Sequence, residues 1–299
     1  MDTKYLSYIL EIAKQRSITK AANNLYVSQS SLSQYLSKLE AEMGTPLFTR
    51  TKNELIPTPA GQLYIEAAKS VIQIQKQLYQ NVSSLSQTGQ IQVGISSQWG
   101  IDMMTDILPA FKQKFPHITI KIHESKYNRQ VQLLSSAKLD MAVMAVSDLS
   151  EFPYQYEFLR KEEILFAIPE SHHFHISHPD TKEITIPDLI RIFKQESFIL
   201  SAEGSTLRQS TDQIFRSHYF KPISVCEVNS NSAAQRLVSK DVGIAFIPAS
   251  YKNGEQGIAY LSLVPGLYRD NVIAFRKGLH ITETEEYLIH LIKQHPLFQ

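Results

Sequence analysis

Residues 17–39 read SITKAANNLYVSQSSLSQYLSKL, a stretch that predicts two short helices joined by a tight turn. Thr19 is the predicted N-cap of the first helix. Ser28 is the predicted N-cap of the second, because its hydroxyl oxygen can accept a free amide N–H from the first helical turn. Apolar residues then recur at the spacing of an amphipathic helix, so one face is expected to pack against the rest of the chain. These residues are Leu32, Leu36, Leu39 and Met43.

The opposite face of the second helix carries small or amide-bearing side chains, one cation and no carboxylate. Amides both donate and accept hydrogen bonds and serine fits close to a backbone, so this face suits base edges and phosphates. A helix-turn-helix DNA-binding unit is one interpretation. The alternative is an ordinary amphipathic helix pair with a solvated polar face, and the pattern alone leaves both open. The face consists of Gln29, Ser30, Ser33, Gln34, Ser37 and Lys38.

The residues that follow predict a small β-wing. Gly44 is a helix stop, and Lys52-Asn53 is a turn signal between two short extended runs. Arg50 and Lys52 would lie on the wing, where they serve either surface solubility or contact with phosphates and the minor groove. The candidate DNA-binding residues are Thr19, Ser28, Gln29, Ser30, Ser33, Gln34, Ser37, Lys38, Arg50 and Lys52.

Length and composition limit the class of protein. The chain has 299 residues, 43% of them hydrophobic and 20% charged, which is typical of a globular protein with two or three domains. Its net charge is only +1, so any contact with nucleic acid must come from a local patch. The one cysteine, Cys226, excludes an intrachain disulfide framework. Neither a signal peptide nor a membrane-spanning run is visible, which predicts a cytoplasmic protein.

The first third of the chain carries a pattern that consists of Ala21, Ala22, Leu25, Val27, Ser28, Gln29, Leu32, Ser33, Leu39, Glu40, Gly44, Pro46, Leu47, Phe48, Arg50, Leu55, Thr58, Ala60 and Gly61. This pattern resembles the N-terminal domain of LysR-type transcriptional regulators. Ser30 and Ser31 replace the Pro and Ala common in that family, and Ser37 stands where a basic or bulkier residue is frequent. The resemblance implies a sequence-specific DNA-binding regulator.

Residues 59–88 predict a long linker helix followed by a hinge. Pro59 can start the helix and Thr58 can cap it, while Ser83 to Gln90 has the composition of a hinge. A narrow apolar stripe at near-heptad spacing needs a partner, so a second copy of the chain is expected; the alternative is packing on its own chain. The resemblance implies a dimer-forming helix and a tetramer built as a dimer of dimers. The stripe is Ala67, Val71, Ile74, Leu78, Val82 and Leu85.

Strands and helices alternate after residue 88, which implies a parallel α/β sheet. Strands are predicted at 91–95, 118–122, 139–146, 164–168, 198–200, 223–228, 243–247 and 272–275. Helices are predicted at 103–115, 131–134, 206–215, 233–238 and 282–293.

The predicted fold class is α/β, in three parts. An all-α winged helix-turn-helix covers residues 1–58, the linker helix and hinge cover 59–88, and a regulatory domain covers 89–299. The resemblance implies that the regulatory domain is similar to type 2 periplasmic binding proteins, with two subdomains around an effector cleft. Subdomain I is expected at about 89–161 and 266–299, and subdomain II at about 162–265.

Polar turns mark the predicted cleft. Ligands of open α/β sheets bind beyond the carboxyl ends of strands, often against helix N-termini. The alternative for each residue is that serine or asparagine merely caps a helix. Trp99 either flanks the cleft or belongs to the core. The candidate effector-binding residues are Ser96, Ser97, Gln98, Ser125, Ser201, Glu203, Ser205, Asn229 and Ser230.

Signals for an enzyme or a metal are weak. The sequence lacks a G-x-S-x-G elbow, a P-loop, a G-x-G-x-x-G motif and H-E-x-x-H, which predicts no catalysis and no cofactor. Histidine-rich tracts can bind metal. The one here lies in a predicted loop without cysteine, and the first acidic residue after it is Asp180, so no metal site is predicted and the tract's role stays open. It comprises His172, His173, His175 and His178.

The sequence therefore predicts a regulator that binds an interrupted inverted repeat in promoter DNA and responds to a small-molecule effector, with contact to RNA polymerase as a further option. Two alternatives remain at this point. A small-molecule binding module without a DNA role would need export and leaves residues 17–58 unexplained. An enzyme of the same α/β architecture lacks a catalytic constellation.

Overall fold

The computed structural model describes residues 3–51, 54–85, 89–96, 98–252, 255–276 and 281–298. The chain divides into two compact units, residues 1–88 and 89–299. Within the described residues, no helix combines the length and the apolar character needed to cross a membrane.

The first unit is a winged helix-turn-helix followed by a long helix. Its elements are α1 (Lys4–Gln15), α2 (Ile18–Asn24), α3 (Gln29–Met43), β1 (Phe48–Arg50), β2 (Leu55–Pro57) and α4 (Pro59–Leu85).

Helix capping in this unit follows the sequence with one exception. Ser28 is the N-cap of α3, since its hydroxyl accepts the Ser31 N–H at 3.1 Å. Gly44 ends that helix in the left-handed conformation at φ 68°. The predicted cap Thr19 is wrong: Ser17 caps α2 by accepting the Lys20 N–H at 3.4 Å. Ser17 has the extended backbone that lets a side chain reach the first turn, whereas Thr19 is already helical.

Contacts between near and between distant residues of the chain hold the wing against the helices; among the distant ones, the Leu55 N–H donates to the Arg16 carbonyl at 2.9 Å. Strands β1 and β2 pair antiparallel, and the predicted turn residues Lys52 and Asn53 lie outside the described residues. The Glu40 carboxylate accepts the backbone N–H groups of Leu47 at 2.7 Å and Phe48 at 3.1 Å. This carboxylate therefore fixes the chain where it enters the wing.

The start of α4 is equally well defined. Thr58 caps it by accepting the Gly61 N–H at 3.0 Å. A Cβ atom on Gly61 would lie 1.9 Å from the Leu47 carbonyl oxygen, so only glycine allows this close approach. Helix α4 runs to Leu85 and the next strand begins at Gly89, so the middle of the predicted hinge, residues 86–88, lies outside the described residues.

The second unit contains the remaining elements. Its strands are β3 (Gly89–Ile95), β4 (Ile118–Glu124), β5 (Met141–Val146), β6 (Gln155–Pro169), β7 (Glu183–Thr185), β8 (Ser197–Ser201), β9 (Ile223–Val228), β10 (Ile244–Pro248), β11 (Ile258–Val264) and β12 (Leu267–Phe275). Its helices are α5 (Gln98–Lys114), α6 (Tyr127–Ser135), α7 (His173–Ser177), α8 (Ile186–Phe193), α9 (Thr206–Ser217), α10 (Asn231–Val238) and α11 (Glu283–Gln294), with 3₁₀ turns at Ala249–Tyr251 and Pro296–Phe298.

In the described part of the unit these strands form one ten-stranded sheet with the main order β4-β3-β5-β12-β6-β10-β8-β9. The sheet is mixed rather than wholly parallel. Strands β3, β4 and β5 are parallel to one another, as are β8, β9 and β10, but β6 and β12 are antiparallel and join the two groups. We call the half around β3, β4 and β5 subdomain I and the half around β8, β9 and β10 subdomain II.

Both subdomains bury their central strands on two faces. Every residue of β5 and of β10 is buried, which explains why these segments are continuously apolar in the sequence. Sequence patterns missed the first half of β6, where charged residues hide the alternation, and also β7, α8 and β11. The predicted loop at the histidine tract contains the short helix α7.

Candidate DNA-binding surface and effector cleft

Helix α3 presents the predicted polar face to solvent. Leu32, Leu36 and Leu39 are buried on the other side of the helix. Lys38 lies 3.9 Å from Glu42 in an exposed pair, which leaves its charge available because such pairs are weak. Of the predicted face residues, Ser33 is half-buried, and those exposed are Gln29, Ser30, Gln34, Ser37 and Lys38.

Ser28 is held by its neighbours. Besides accepting the Ser31 N–H, its hydroxyl oxygen lies 3.0 Å from the Ser30 hydroxyl and 2.7 Å from the Ser31 hydroxyl. It therefore positions the first turn of α3 rather than offering a free group.

A groove of about 230 Å³ brings three of the predicted residues together, namely Thr19, Gln29 and Arg50. Arg16 also lines it and was missed, although it is a cation directly before the helix-turn-helix. Its guanidinium pairs with Glu54 at 3.1 Å across an exposed contact. Glu54 also lines the groove and offsets part of this charge, and the two arginines make the groove attractive to a phosphate group. Lys52 cannot be placed, since it lies outside the described residues.

The carboxyl ends of several strands of the second unit meet at a cavity of about 120 Å³ between subdomains I and II. Ser97 falls outside the described residues. Six predicted effector-binding residues line the cavity: Ser96, Gln98, Ser201, Ser205, Asn229 and Ser230.

Two of the predicted residues do not line the cavity. Ser125 is turned inward: its hydroxyl is buried without a hydrogen-bond partner among the described atoms, and its backbone N–H donates to Ile95 at 3.1 Å. Glu203 has an exposed side chain and contributes only its backbone oxygen, which accepts from Lys126 at 3.0 Å.

Two of the serines that line the cavity also cap helices. Ser205 caps α9 by accepting the Arg208 N–H at 3.2 Å, and Ser230 caps α10 by accepting the Ala233 N–H at 3.3 Å. The cavity is therefore bordered by capped helix N-termini, where free N–H groups favour anions. Trp99 belongs to the core, since it is 7% exposed and its ring packs edge-on against Phe298.

A buried ionic network forms the floor of the cavity. Arg269 lines the cavity at 5% exposure and donates from Nε to Glu162 at 2.7 Å. Glu162 also accepts from Arg160 at 3.0 Å and from the Ser250 N–H at 3.1 Å. Burial raises the pKa of Glu162, but the charge of Arg269, the Ser250 hydrogen bond and Arg160 together lower it to about 2. Two guanidinium groups around one carboxylate give the network a net positive charge, and Arg269 is its member that lines the cavity.

Other lining residues were missed by the sequence patterns. Lys126 adds a second cation, partly offset by Glu124, which also lines the cavity. Burial raises the pKa of Tyr251, so this lining phenol keeps its proton and can donate a hydrogen bond. No local signal marks Arg269, because its partner Glu162 is 107 residues away in the chain.

Direct hydrogen bonds already cross between the subdomains. The Thr206 hydroxyl donates to the Ala145 carbonyl at 2.8 Å in a buried contact. Gln209 donates to the Asn128 side chain at 3.2 Å in an exposed contact. These bonds link the relative position of the two subdomains to the residues around the cavity.

Two family models match the chain. Residues 3–62 match the bacterial regulatory helix-turn-helix protein of the lysR family, and residues 85–296 match the LysR substrate binding domain.

Known proteins resemble the chain over nearly its whole length. The uncharacterized HTH-type transcriptional regulator YcgK of Bacillus subtilis is 25% identical, covering 98% of this chain and 94% of that protein. A full-length OxyR variant from Pseudomonas aeruginosa has a similar structure, with a TM-score of 0.59 and 22% identity over 98% of this chain and 93% of its own. Full-length CbnR complexed with its target DNA gives a TM-score of 0.55 and 18% identity, covering 98% and 99% of the two chains.

Proposed function

Because the chain belongs to the LysR family of DNA-binding transcriptional regulators, we propose that it binds an interrupted inverted repeat in promoter DNA and responds to a small molecule in its cleft. Members of this family are bacterial regulators with an effector-binding domain and are not enzymes. The observation that carries the proposal is an exposed, carboxylate-free face on α3 in one unit and a cation-floored cavity in the other.

In the proposed complex, α3 enters the major groove. Gln29, Ser30, Ser33 and Gln34 read base edges, with Ser28 and Ser37 at the margins of the contact. Thr19, Lys38, Arg50 and Lys52 hold phosphates or the minor groove. The groove shared by Thr19, Gln29 and Arg50 supports this division, since it joins the start of α3 to the wing.

Selection of bound sequences from random duplex DNA tests the proposal. We expect an enriched inverted repeat, and no enrichment by a folded protein contradicts it. Gln34→Ala should reduce discrimination at one base pair by about 1–3 kcal/mol. Lys38→Ala should weaken binding to all sequences and reduce the slope of log affinity against log salt concentration by about 1. Gln62→Ala is the matched control, because Gln62 is an exposed glutamine on α4 rather than on α3. Equal effects of Gln34→Ala and Gln62→Ala would refute base reading by α3.

Residues 59–88 are proposed to pair two copies of the chain, between a DNA-binding domain at 1–58 and a regulatory domain at 89–299. The exposed fractions of Ile74, Leu78 and Val82 on α4 are 62%, 53% and 55%, a stripe that a second copy would cover. Two such dimers would form the tetramer.

Sedimentation of the full-length protein tests this pairing. Leu78→Glu should shift the distribution toward smaller species, because a charge would enter an apolar seam. Lys69→Glu, on an exposed position of the same helix outside the stripe, should leave it unchanged. If the Leu78→Glu variant still sediments as the unmodified protein does, the interface lies elsewhere on the chain.

The proposed effector is a small polar anion. Arg269 and Lys126 supply positive charge, while Ser96, Ser201 and Asn229 offer neutral hydrogen-bonding groups. Ser125 and Glu203 do not line the cavity and are not part of the proposed effector site. A thermal-shift screen of small carboxylates identifies the ligand, and Ser201→Ala should weaken its binding about fivefold by loss of one hydrogen bond. Ser224→Ala is the control, and equal affinities in both variants contradict the placement.

Regulation requires that the effector bind one arrangement of the subdomains or of the oligomer more tightly than another. The bonds between Thr206 and Ala145 and between Gln209 and Asn128 are the contacts that such a change would break or tighten. We place this action in the cytoplasm, where the promoter and RNA polymerase are accessible.

A further inference from the structure

The histidine tract meets a carboxylate in the folded chain. His172 and His173 follow β6, and Glu196 lies in the turn just before β8. One donor atom from each of these three residues lies within 4.8 Å of the others. The sequence reveals no acidic partner for the tract, because Glu196 comes close to His172 and His173 only when subdomain II folds.

His172 is held in place. Its Nδ1 accepts the Phe174 N–H at 3.1 Å, and its ring packs on the Phe193 ring at a centroid distance of 5.3 Å. Its Nε2 therefore faces Glu196 at 3.4 Å. That nitrogen is buried, and no hydrogen bond of the described residues satisfies it.

We propose that His172, His173 and Glu196 bind one divalent transition-metal ion of the Zn²⁺ type. Two imidazole nitrogens and a carboxylate oxygen form a donor set that such ions prefer, and the fourth position of a tetrahedral site is left for water. Ligand atoms about 2.0–2.1 Å from a tetrahedral zinc lie about 3.3 Å from one another. The His172 Nε2 and the nearest Glu196 oxygen are 3.4 Å apart and so already have this spacing. His173 is exposed, so a rotation of its side chain would bring a ring nitrogen to the same distance from both.

The surroundings set the conditions for binding. Asp241 accepts a hydrogen bond from the Ser171 hydroxyl and places a further negative charge near His172. A neutral imidazole carries one proton, so a metal at Nε2 moves that proton to Nδ1, which then no longer accepts from Phe174. Metal uptake thus competes with the cap of α7.

This site is distinct from the cleft. Glu196 precedes β8, whereas Ser201, which lines the cleft, is the last residue of the same strand. The two sites therefore lie at opposite ends of β8, and the effector and the metal would not share ligands.

Equilibrium dialysis of the full-length, chelator-treated protein against Zn²⁺ tests the proposal. The unmodified protein should take up one equivalent, and His173→Ala and Glu196→Gln should each lower the affinity at least tenfold. His175→Ala and His178→Ala are matched controls, because both residues belong to the same tract but not to the three-residue cluster. These two variants should bind as the unmodified protein does, and Zn²⁺ should raise the melting temperature only where it binds.

Several results would overturn the assignment. The unmodified protein could take up no zinc, or Glu196→Gln could retain full affinity. Equal losses in His175→Ala and His173→Ala would mean that the tract binds metal by composition alone. Neither His173 nor Glu196 is buried, so unchanged circular dichroism is expected and loss of folding does not obscure the outcome.

Discussion

The DNA-binding unit and the regulatory unit hold their functional groups in different ways. In the first, the bonds that cap α3 and fix the entry to the wing join near neighbours: Ser28 and Ser31 are three residues apart and Glu40 and Phe48 eight apart, although the exposed Arg16–Glu54 pair spans 38. In the second, Glu162 accepts hydrogen bonds from Ser250, which is 88 residues away in the chain, and from Arg269, which is 107 residues away. The recognition surface therefore depends on separable local bonds, whereas the cleft floor depends on distant segments folding together.

This difference has an energetic consequence. The Ser28 cap is exposed and the Glu40 bonds are only partly buried, so water partly compensates for their loss. The Glu162 side chain is 1% exposed, and removing a partner leaves a charge that water cannot reach. Single changes should therefore cost more at the cleft floor than at α3.

The largest effect is expected for Arg269→Met. It removes one partner of a buried carboxylate and should lower the free energy of unfolding of the regulatory unit by about 3–5 kcal/mol. Denaturant titration followed by tryptophan fluorescence measures this, because Trp99 is the single tryptophan of the sequence and is buried in that unit.

Arg191→Met is the matched control. Arg191 pairs with Asp188 at 2.7 Å, but its side chain is 70% exposed, so the change should cost less than about 0.5 kcal/mol. If Arg269→Met and Arg191→Met lower the free energy of unfolding equally, the network at the cleft floor does not contribute the stability assigned to it.

Acid should destabilise the same unit through Glu162. Burial raises its pKa, but Arg269 and the other partners lower it to about 2, below the ordinary 4.5. A carboxyl with a lowered pKa in the folded state stabilises fully above its ordinary pKa, and this stabilisation of about 3 kcal/mol is lost as the pH falls from about 4.5 toward 2. Unfolding free energies from Trp99 fluorescence between pH 6 and pH 3 should record the onset of the loss.

Glu162→Gln isolates this contribution, since other carboxyls also titrate. Burial raises the pKa of Glu285, for example, so its protonation favours folding as the pH falls. The unmodified protein should lose more stability over the acid range than Glu162→Gln does. Identical slopes in the two proteins would assign the acid sensitivity to other groups.

The same contrast explains what the sequence could reveal. Ser28, Gly44 and Thr58 were identified because a cap and its helix lie within one turn of each other. The prediction that Thr19 caps α2 was wrong, because Ser17 has the same capping chemistry and only the backbone conformation decides between the two residues.

The border of the cavity followed from a topological rule on strand ends, and whether its serines bind an effector stays a prediction. Its charged floor did not follow from the sequence. Glu162 and Arg269 lie in strands whose charged residues suggest a solvated surface, and only the antiparallel pairing of β6 and β12 brings these two together.

An intermediate effect is expected for Glu40→Ala. It removes the acceptor of the Leu47 and Phe48 N–H groups and should destabilise the wing by about 2 kcal/mol. Amide hydrogen exchange should accelerate at these two residues, and DNA affinity should fall because Arg50 loses its position. Glu42→Ala, which removes only the exposed pair with Lys38, should leave both amides unchanged. Protection of Leu47 and Phe48 that survives Glu40→Ala would show that other contacts hold the wing.

The smallest effect is expected for Ser28→Ala. Its hydroxyl caps α3 at an exposed position, so the DNA-binding unit should lose about 1 kcal/mol and hydrogen exchange should accelerate mainly at Ser31 and its neighbours. Ser37→Ala, an exposed serine inside the same helix, should change stability by less than about 0.5 kcal/mol. If Ser28→Ala instead destabilised the whole unit as much as Arg269→Met destabilises the regulatory unit, the recognition surface would be as cooperative as the cleft floor. A small, local loss means that α3 can accept changes on its exposed face one residue at a time.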